Sequence, residues 1–219
     1  VIYVMMEMRQ ETDYVTHHIQ KVVAFFAAMR AFAEARQQAG HRFHYLSLDD
    51  PDNQQSLPDN LSWLIEKYGV DRFEYQMPDE YRLDEQLAEF ARGAGVAYEA
   101  VDTEHFLTRR EELGEMFAGK KTYLMETFYR EMRKRYGIMM ADEKTPLSGQ
   151  WNYDEDNRNR YDGKVAVPEP LSFGREVGDL VEMIEAAGVK TFGRIEPEQF
   201  IWPVTREEAE EALDFFVEA

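Results

Sequence analysis

Residues 1–48 contain a β-α-β pattern made of VIYVMMEM (1–8), THHIQKVVAFFAAMRAFAEARQQ (16–38) and RFHYLSL (42–48). The first segment is a continuous apolar run, which is typical of a parallel strand buried on both faces. In the second, apolar residues such as Val22, Phe25, Phe26, Met29 and Phe32 recur at spacings of three and four, which predicts an amphipathic helix. The third predicts another strand, which the turn-forming residues DDPDN (49–53) end.

The same alternation continues to residue 103. We expect a short helix at 61–65 closed by Gly69, a strand at 72–77, a helix at 80–92 and a strand at 96–101. Strands that alternate with helices imply right-handed crossovers and a parallel sheet covered on both faces. The sequence therefore predicts a doubly wound, Rossmann-like α/β domain over residues 1–103.

After residue 103 the alternation stops. Helices are expected at 110–117, 122–136 and 176–187, and from Thr205, where Thr205 and Glu208 match a capping box. The stretch 142–170 is polar, rich in Asn, Asp and Pro, and longer than an ordinary connection. Residues 104–219 are therefore interpreted as a helical and loop extension.

Composition excludes several classes of protein. The 219 residues include no cysteine and carry a formal net charge of −18. A disulfide scaffold, a thiolate zinc site, a cysteine nucleophile and an iron–sulfur cluster are thus excluded within these residues. No apolar run reaches the roughly 18 residues of a membrane span, and no signal peptide is recognisable. We expect a soluble, cytoplasmic protein without a membrane partner.

The usual catalytic motifs are missing. Gly93-Ala94-Gly95 lacks a third glycine and precedes a strand, so the dinucleotide fingerprint fails, and no Walker or Gly-x-Ser-x-Gly motif is present. Adjacent His17 and His18 are expected to make local contacts rather than to bind metal. A calcium loop built from Asp154, Asp156 and Asp162 fails in its spacing. The sequence predicts no catalytic residue and no metal site.

Carboxylates and tyrosines follow two of the predicted strands. Glu7, Glu11 and Tyr14 come after the first strand, and Glu80 and Tyr81 come after the third. Ligands bind at the carboxyl edge of an open parallel sheet. Carboxylate–tyrosine pairs suit a planar heterocycle, which the ring can stack on and the carboxylate can hydrogen-bond.

A basic segment stands out against the acidic chain. Residues 120–135 contain six basic residues and only two acidic ones, Glu126 and Glu131. The aromatic and polar segment WNYDEDNR (151–158) lies nearby in sequence. The candidate residues for a surface that faces DNA or another domain are Lys120, Arg130, Arg133, Lys134, Trp151, Asn152 and Arg158.

Taken together, seven stretches resemble a known family. They are ETDYVTHHIQK (11–21), FAAMRAFAE (26–34), LDDPDN (48–53), EYR (80–82), METFYREMR (125–133), GQWNYDEDNR (149–158) and WPVTR (202–206). In this order they resemble the N-terminal portion of the deoxyribodipyrimidine photolyase-related proteins, the iron–sulfur bacterial (6-4) photolyases and related cryptochromes.

The resemblance implies part of a light-driven, flavin-dependent enzyme that repairs damaged DNA. It implies a 6,7-dimethyl-8-ribityllumazine antenna in the α/β domain, and FAD and an iron–sulfur cluster in a C-terminal helical domain. Glu11 and Tyr14 match the family's Glu-x-x-Tyr beside the lumazine. Glu80-Tyr81-Arg82 matches a Glu-Trp-Arg motif, and the segment from Trp151 matches the connection between the two domains.

The chain also departs from the family. The family's first strand, its Gly-Asp-Gln-Leu loop and the whole FAD domain have no counterpart here. We therefore expect an antenna-type portion that is not catalytic by itself, whose partners are the FAD domain and, through the full-length enzyme, damaged DNA. The alternatives are a cofactor-free α/β protein-interaction module and an adenine-nucleotide-binding α/β enzyme, against which the missing glycine-rich loop argues.

Overall fold

A computed structural model describes residues 1–155, 158, 160, 162–164 and 166–218. The chain divides into two compact units: unit 1 is Val1–Asp71 with Val167–Ala219, and unit 2 is Arg72–Ala166. This grouping differs from the division after residue 103 expected from the sequence. That division into domains stays a prediction.

Among its described residues, unit 1 contains four strands, five helices and a 3-10 turn. The first of the five helices is a single turn. The elements of unit 1 are β1 (Tyr3–Met6), α1 (Gln10–Asp13), β2 (His17–His18), α2 (Ile19–Gln38), β3 (Phe43–Leu46), α3 (Leu57–Tyr68), α7 (Gly178–Ala186), β6 (Thr191–Phe192), the 3-10 turn Pro197–Gln199 and α8 (Arg206–Glu218). Unit 2 contains β4 (Arg72–Gln76), α4 (Tyr81–Gly93), β5 (Ala97–Val101), α5 (Glu112–Met116) and α6 (Met125–Tyr136).

All three strand pairs are parallel. β1 pairs with β3 and β2 with β6, and β4 pairs with β5, so the described residues form three two-stranded sheets. The mixed α/β class and the parallel pairing agree with the sequence prediction. Within each parallel pair, the residues that follow the two strands lie at the same edge, the edge at which open parallel sheets bind ligands.

The core of unit 1 joins α2 to the last part of the chain. Val22, Val23 and Phe26 of α2 are buried against residues of α7 and the segments around it. The remaining members of this cluster are Ile19, Leu48, Val177, Leu180, Val181, Ile184, Val189, Phe200 and Val204. Phe25 and Phe32, which the periodicity placed on the same apolar face, are instead exposed.

Helix termini follow the local sequence. His18 begins α2 because its Nδ1 accepts a hydrogen bond from the backbone N–H of Gln20 at 3.2 Å. The expected capping box of α8 is confirmed, since the Glu208 N–H donates to Thr205 Oγ1 at 3.2 Å and the Thr205 N–H donates back to Glu208 at 3.3 Å. α3 is longer than expected and begins four residues before Leu61, because Pro58 suits the first helical turn.

The pairing of β2 with β6 has no clear sequence signal. It brings the ring of His18 beside Gly193, whose φ is +86°. A Cβ at Gly193 would stand 1.9 Å from His18 Nε2, so only glycine fits this position. Within the described part of the chain, no helix is both long and apolar enough to cross a membrane.

Candidate functional site

A buried carboxylate organises the carboxyl edge of β1 and β3. Glu7 is fully buried and accepts two hydrogen bonds from the Arg30 guanidinium, at 2.6 and 2.9 Å. It also accepts from the Tyr45 hydroxyl at 2.6 Å and from the Leu48 N–H at 2.9 Å. One side chain thus connects β1, α2, β3 and the loop after β3.

The hydrogen bonds of Glu7 change the acid–base behaviour of its partners. The hydrogen bond from the guanidinium to Glu7 raises the pKa of Arg30. Burial, followed by the bond to Glu7, raises the pKa of Tyr45 well above its ordinary value, so this phenol stays protonated. The arrangement is an ion pair between Glu7 and Arg30 to which the Tyr45 hydroxyl adds a neutral hydrogen-bond donor.

Two asparagines extend this arrangement into the loop that follows β3. Asn53 Nδ2 donates to the Glu7 carbonyl at 2.6 Å and to the Ser47 carbonyl at 2.8 Å. Asn60 is fully buried; its Nδ2 donates to Asn53 Oδ1 at 3.0 Å, and its Oδ1 accepts from the Gln54 N–H at 2.7 Å. The LDDPDN segment therefore has a positioning role in this structure.

Glu11 and Tyr14 lie close together in and after α1. The Glu11 carboxylate accepts from Gln10 Nε2 at 3.1 Å. The Tyr14 ring is half-exposed and meets the His17 ring edge-on at 5.0 Å between centroids. The pair thus presents an aromatic ring and a carboxylate beside the carboxyl end of β1, as the sequence predicts.

A cavity of about 690 Å³ lies at the carboxyl ends of β1 and β3 in unit 1. Arg9, Leu48, Asp49 and Gln55 line one side, and α7 lines the other. Arg9 Nη1 donates to the Ala187 carbonyl at 2.7 Å, which ties α7 to this edge. Neither Glu11 nor Tyr14 is among the described residues that line the cavity.

Glu80 and Tyr81 begin α4 in unit 2. The Glu80 carboxylate accepts from the backbone N–H groups of Arg82 and Leu83, at 2.9 and 3.0 Å, and so caps the helix. The Arg82 N–H is the main reason that the pKa of Glu80 lies below its ordinary value. Since Glu11 and Tyr14 belong to unit 1, the two predicted pairs are described separately.

Tyr81 lines a second cavity, of about 560 Å³, built entirely from unit 2. β4 and β5 contribute the residues that follow them, and α5 and α6 contribute an apolar wall. The lining residues are Pro78, Asp79, Tyr81, Asp84, Asp102, Thr103, Phe106, Thr108, Arg109, Arg110, Leu113, Phe117, Tyr123, Leu124, Met125 and Phe128. The sequence identified only Tyr81 of this set, since periodicity does not show that α5 and α6 pack beside the strand ends.

Trp151 is surrounded by cations of α6. The charged groups of Arg130, Arg133 and Lys134 lie 5.1, 5.3 and 5.7 Å from its ring centroid, within the range of cation–π attraction. Asn152 Nδ2 donates to Glu126 at 3.1 Å, and Glu126 also accepts from Arg130 at 2.7 Å. The structure therefore brings five of the seven predicted surface residues together.

Arg133 differs from its neighbours because it is buried. Its guanidinium donates to the carbonyls of Ile138 and Trp151, at 3.1 and 3.2 Å, and to the carbonyl of Met139. These bonds fix the turn after α6 and the start of the Trp151 segment. In this structure Arg133 positions backbone rather than facing solvent.

The two predicted surface residues outside this group, Lys120 and Arg158, are exposed, as is Lys134. Lys120 and Lys134 project from unit 2, and Lys134 pairs with Glu131 at 2.9 Å. Arg158 is exposed as well, whereas Asp156 and Asn157 of the same segment lie outside the described residues. Among the described residues, no group of three or more His, Asp or Glu side chains is arranged to hold a metal ion.

A model of a known protein family matches most of the chain. The model of the family described as deoxyribodipyrimidine photo-lyase-related protein matches residues 1–200. The chain belongs to this family. The resemblance inferred from the seven sequence stretches is thereby confirmed.

Two relatives of this photolyase-related chain differ in length. A (6-4) photolyase of Agrobacterium fabrum is 32% identical over 217 residues, which cover 98% of this chain and 42% of the Agrobacterium protein. An uncharacterized protein of Acanthamoeba polyphaga mimivirus is 24% identical over 154 residues, 68% of this chain and 76% of its own. The photolyase-related chain therefore spans less than half the length of the named photolyase.

Proposed function

We propose that this chain is the N-terminal, antenna-type portion of a light-driven, flavin-dependent DNA repair enzyme or cryptochrome, and that it is not catalytic by itself. The observation that carries the proposal is its 32% identity to a (6-4) photolyase over 98% of the chain. A doubly wound, Rossmann-like sheet over residues 1–103, followed by a helical and loop extension, and a cytoplasmic location belong to the same proposal. Damaged DNA and the FAD domain are its proposed partners.

The proposed chromophore is 6,7-dimethyl-8-ribityllumazine. The residues proposed for chromophore contact are taken within each unit separately: Glu11 and Tyr14 in unit 1, and Glu80 and Tyr81 in unit 2. These residue types fit the group, because the half-exposed Tyr14 and the exposed Tyr81 offer aromatic faces and the carboxylates accept hydrogen bonds from ring N–H or ribityl hydroxyl groups. Such a chromophore supplies absorption of near-ultraviolet light and transfer of the excitation to a flavin.

An iron–sulfur cluster does not fit this chain. Such clusters are held by cysteine thiolates, and the sequence contains no cysteine. The cluster and the FAD are therefore assigned, within the proposal, to the C-terminal domain of the longer protein.

The surface around Trp151 is proposed to face DNA or that C-terminal domain. Arg130, Lys134 and Lys120 would supply the charges, Asn152 and Arg158 further polar contacts, and Trp151 the aromatic face. Arg133 would act through its hydrogen bonds to the turn after α6, which set the position of Trp151. Phosphate contacts of this kind position a protein on DNA without reading its sequence.

Titration of the purified chain with 6,7-dimethyl-8-ribityllumazine tests the proposal through the anisotropy of lumazine fluorescence. We expect saturable binding that Glu11→Gln weakens about tenfold, since a charge-assisted hydrogen bond contributes about 1.5–3 kcal/mol. The control is Glu34→Gln on the exposed surface of α2, where the carboxylate accepts only from Gln38 among the hydrogen bonds described, at 3.0 Å. Unchanged anisotropy at saturating protein would contradict the antenna role.

The exposed apolar side chains of unit 2 favour one second candidate, a cofactor-free protein-interaction module. Tyr81, Phe106, Leu124 and Met125 are all more than half exposed and line one cavity, and exposed apolar side chains that lie together mark interaction sites. Sedimentation equilibrium distinguishes the two. Self-association that Met125→Lys abolishes, together with no lumazine binding, would favour the interaction module.

A further inference from the structure

The cavity of unit 2 has the size and the location of a small-molecule site. Its volume of about 560 Å³ lies within the range of roughly 300–1,000 Å³ that is usual for ligand pockets. Asp79 follows β4 and Asp102 follows β5, and the two strands are parallel. The cavity therefore lies at the carboxyl edge of a parallel pair, the edge at which α/β proteins bind ligands.

Flat rings form much of its wall. The Phe117 and Tyr123 rings are stacked, with centroids 4.9 Å apart and planes 21° from parallel. Tyr81, Phe106 and Met125 remain exposed to 75%, 63% and 75%. Aromatic faces gain most from offset stacking on another planar ring, so a planar occupant would cover the most exposed apolar surface.

The polar groups of the lining favour hydrogen-bond donors over anions. Three carboxylates, Asp79, Asp84 and Asp102, face two guanidiniums, Arg109 and Arg110. Arg110 already donates to Asp84 and to the Pro78 carbonyl, and Arg109 donates to Glu112.

The carboxylates keep unused acceptor positions. One Asp79 oxygen bonds His105 at 2.7 Å, and one Asp102 oxygen accepts from the Thr103 N–H at 2.8 Å. A carboxylate has about four lone-pair sites, so both aspartates retain capacity for N–H donors. The excess of acids in the lining disfavours a phosphate or a carboxylate in the same place.

We propose that this cavity binds a planar heteroaromatic molecule that is neutral or singly positive and carries N–H donors along one edge. The rings of Tyr81, Phe106 and Tyr123 would cover its faces, and Asp79 and Asp102 would accept from its N–H edge. The inference deepens the proposed function and rests on it in one respect, because Tyr81 is assigned to ligand contact in both.

An apolar protein segment fits the same cavity less well. An apolar helix face, whose backbone N–H groups are already bonded within the helix, would cover Asp79 and Asp102 without offering donors to their remaining oxygens, and a buried carboxylate without partners is costly. A small ring system with an N–H edge satisfies the aromatic wall and the carboxylates together. The carboxylates of Asp79 and Asp102 therefore favour a small molecule as the occupant of the cavity.

Proflavine tests the inference, since it is planar, singly positive and carries amino N–H groups on its edge. Its fluorescence anisotropy is measured during titration with the full 219-residue chain. We expect saturable one-to-one binding that Leu113→Trp weakens at least about tenfold by filling the cavity. Leu147→Trp is the matched control, because Leu147 is exposed in unit 2 and does not line the cavity.

A second pair of variants separates the cavity from general attraction to an acidic protein. Asp102→Asn should weaken proflavine binding about tenfold, whereas Asp154→Asn removes the same charge from an exposed position outside the cavity and should leave the affinity unchanged. Equal effects of the two variants, or the absence of saturation, would overturn the inference. The titration does not use lumazine, so its failure is distinguishable from failure of the antenna proposal.

Discussion

Replacing Glu7 by glutamine keeps the size of the side chain and removes the charge that holds the carboxyl edge of β1 and β3. In the native structure the two carboxylate oxygens receive four hydrogen bonds, from Arg30, Tyr45 and the Leu48 N–H. Glutamine retains one acceptor oxygen, and its NH2 group would face a donor. At least one bond to Arg30 or Leu48 is therefore lost and replaced by an opposed pair of donors.

The expected cost is about 3 kcal/mol. Breaking a buried ion pair by removing one partner typically costs about 3–5 kcal/mol. The Arg30 side chain is 38% exposed, so water partly solvates its charge once Glu7 is gone, which places the estimate at the lower end. For a chain of this size, 3 kcal/mol corresponds to a decrease in melting temperature of roughly 10 °C.

Urea unfolding followed by tryptophan fluorescence and far-ultraviolet circular dichroism measures this cost. The control is Asp13→Asn, which removes an ion pair to Arg9 whose side chains are 40% and 38% exposed, and which should cost no more than about 1 kcal/mol. If Glu7→Gln destabilises the protein no more than this control does, the carboxylate is not the organising group that its contacts indicate.

Three further predictions concern other positions. Gly193→Ala should destabilise unit 1 by at least about 2 kcal/mol, because the new Cβ would overlap the His18 ring and the φ of +86° disfavours alanine. The decrease in melting temperature measures this loss of stability. Arg133→Lys should cost about 2–3 kcal/mol in urea unfolding, because one ammonium cannot reach the three carbonyls that the guanidinium bonds. Burial alone would raise the pKa of Glu208, but hydrogen bonds from two backbone N–H groups and the charge of Arg175 bring it below its ordinary value. The stability that Glu208 contributes is therefore present above its unfolded-state pKa and is lost as the pH falls through the lower folded-state pKa. The difference in unfolding free energy between the wild type and Glu208→Gln should shrink between about pH 5 and pH 3.

The first two of these predictions have a control variant, and the third has an outcome that would contradict it. Gly163→Ala, at another glycine with positive φ but no atom near its Cβ position, should cost only the backbone strain and clearly less than Gly193→Ala. Lys134→Arg changes an exposed cation of the same helix and should leave stability unchanged within about 0.5 kcal/mol. A difference between the wild type and Glu208→Gln that is constant over the whole pH range would contradict the lowered pKa.

The elements follow from local patterns, whereas the candidate sites depend on distant contacts. The apolar spacing of α2 and the capping box of α8 are properties of neighbouring residues, so sequence periodicity predicts them. Nothing in the spacing shows that Phe25 stays exposed while Phe26 is buried, because which part of a wide apolar face meets the core depends on its packing partners.

For the candidate site residues, too, the sequence predicted position along the chain but not burial. The sequence placed Glu11, Tyr14, Glu80 and Tyr81 after strands, and the structure places them there. It gave no reason to expect that Arg133 is buried against backbone carbonyls, because Lys134 and Arg135, the cations that follow it in the same helix, are exposed.

Sequence alone established the α/β alternation, the parallel pairing it implies and the membership of the photolyase-related family, because each is carried by residue order along the chain. The tertiary structure alone decided that Glu7 is the centre of a buried hydrogen-bond cluster, that core residues between Val177 and Val204 pack against α2, and that α5 and α6 close a cavity beside β4 and β5. Burial and cavity formation bring together residues far apart in the chain, and a one-dimensional pattern does not record those distances.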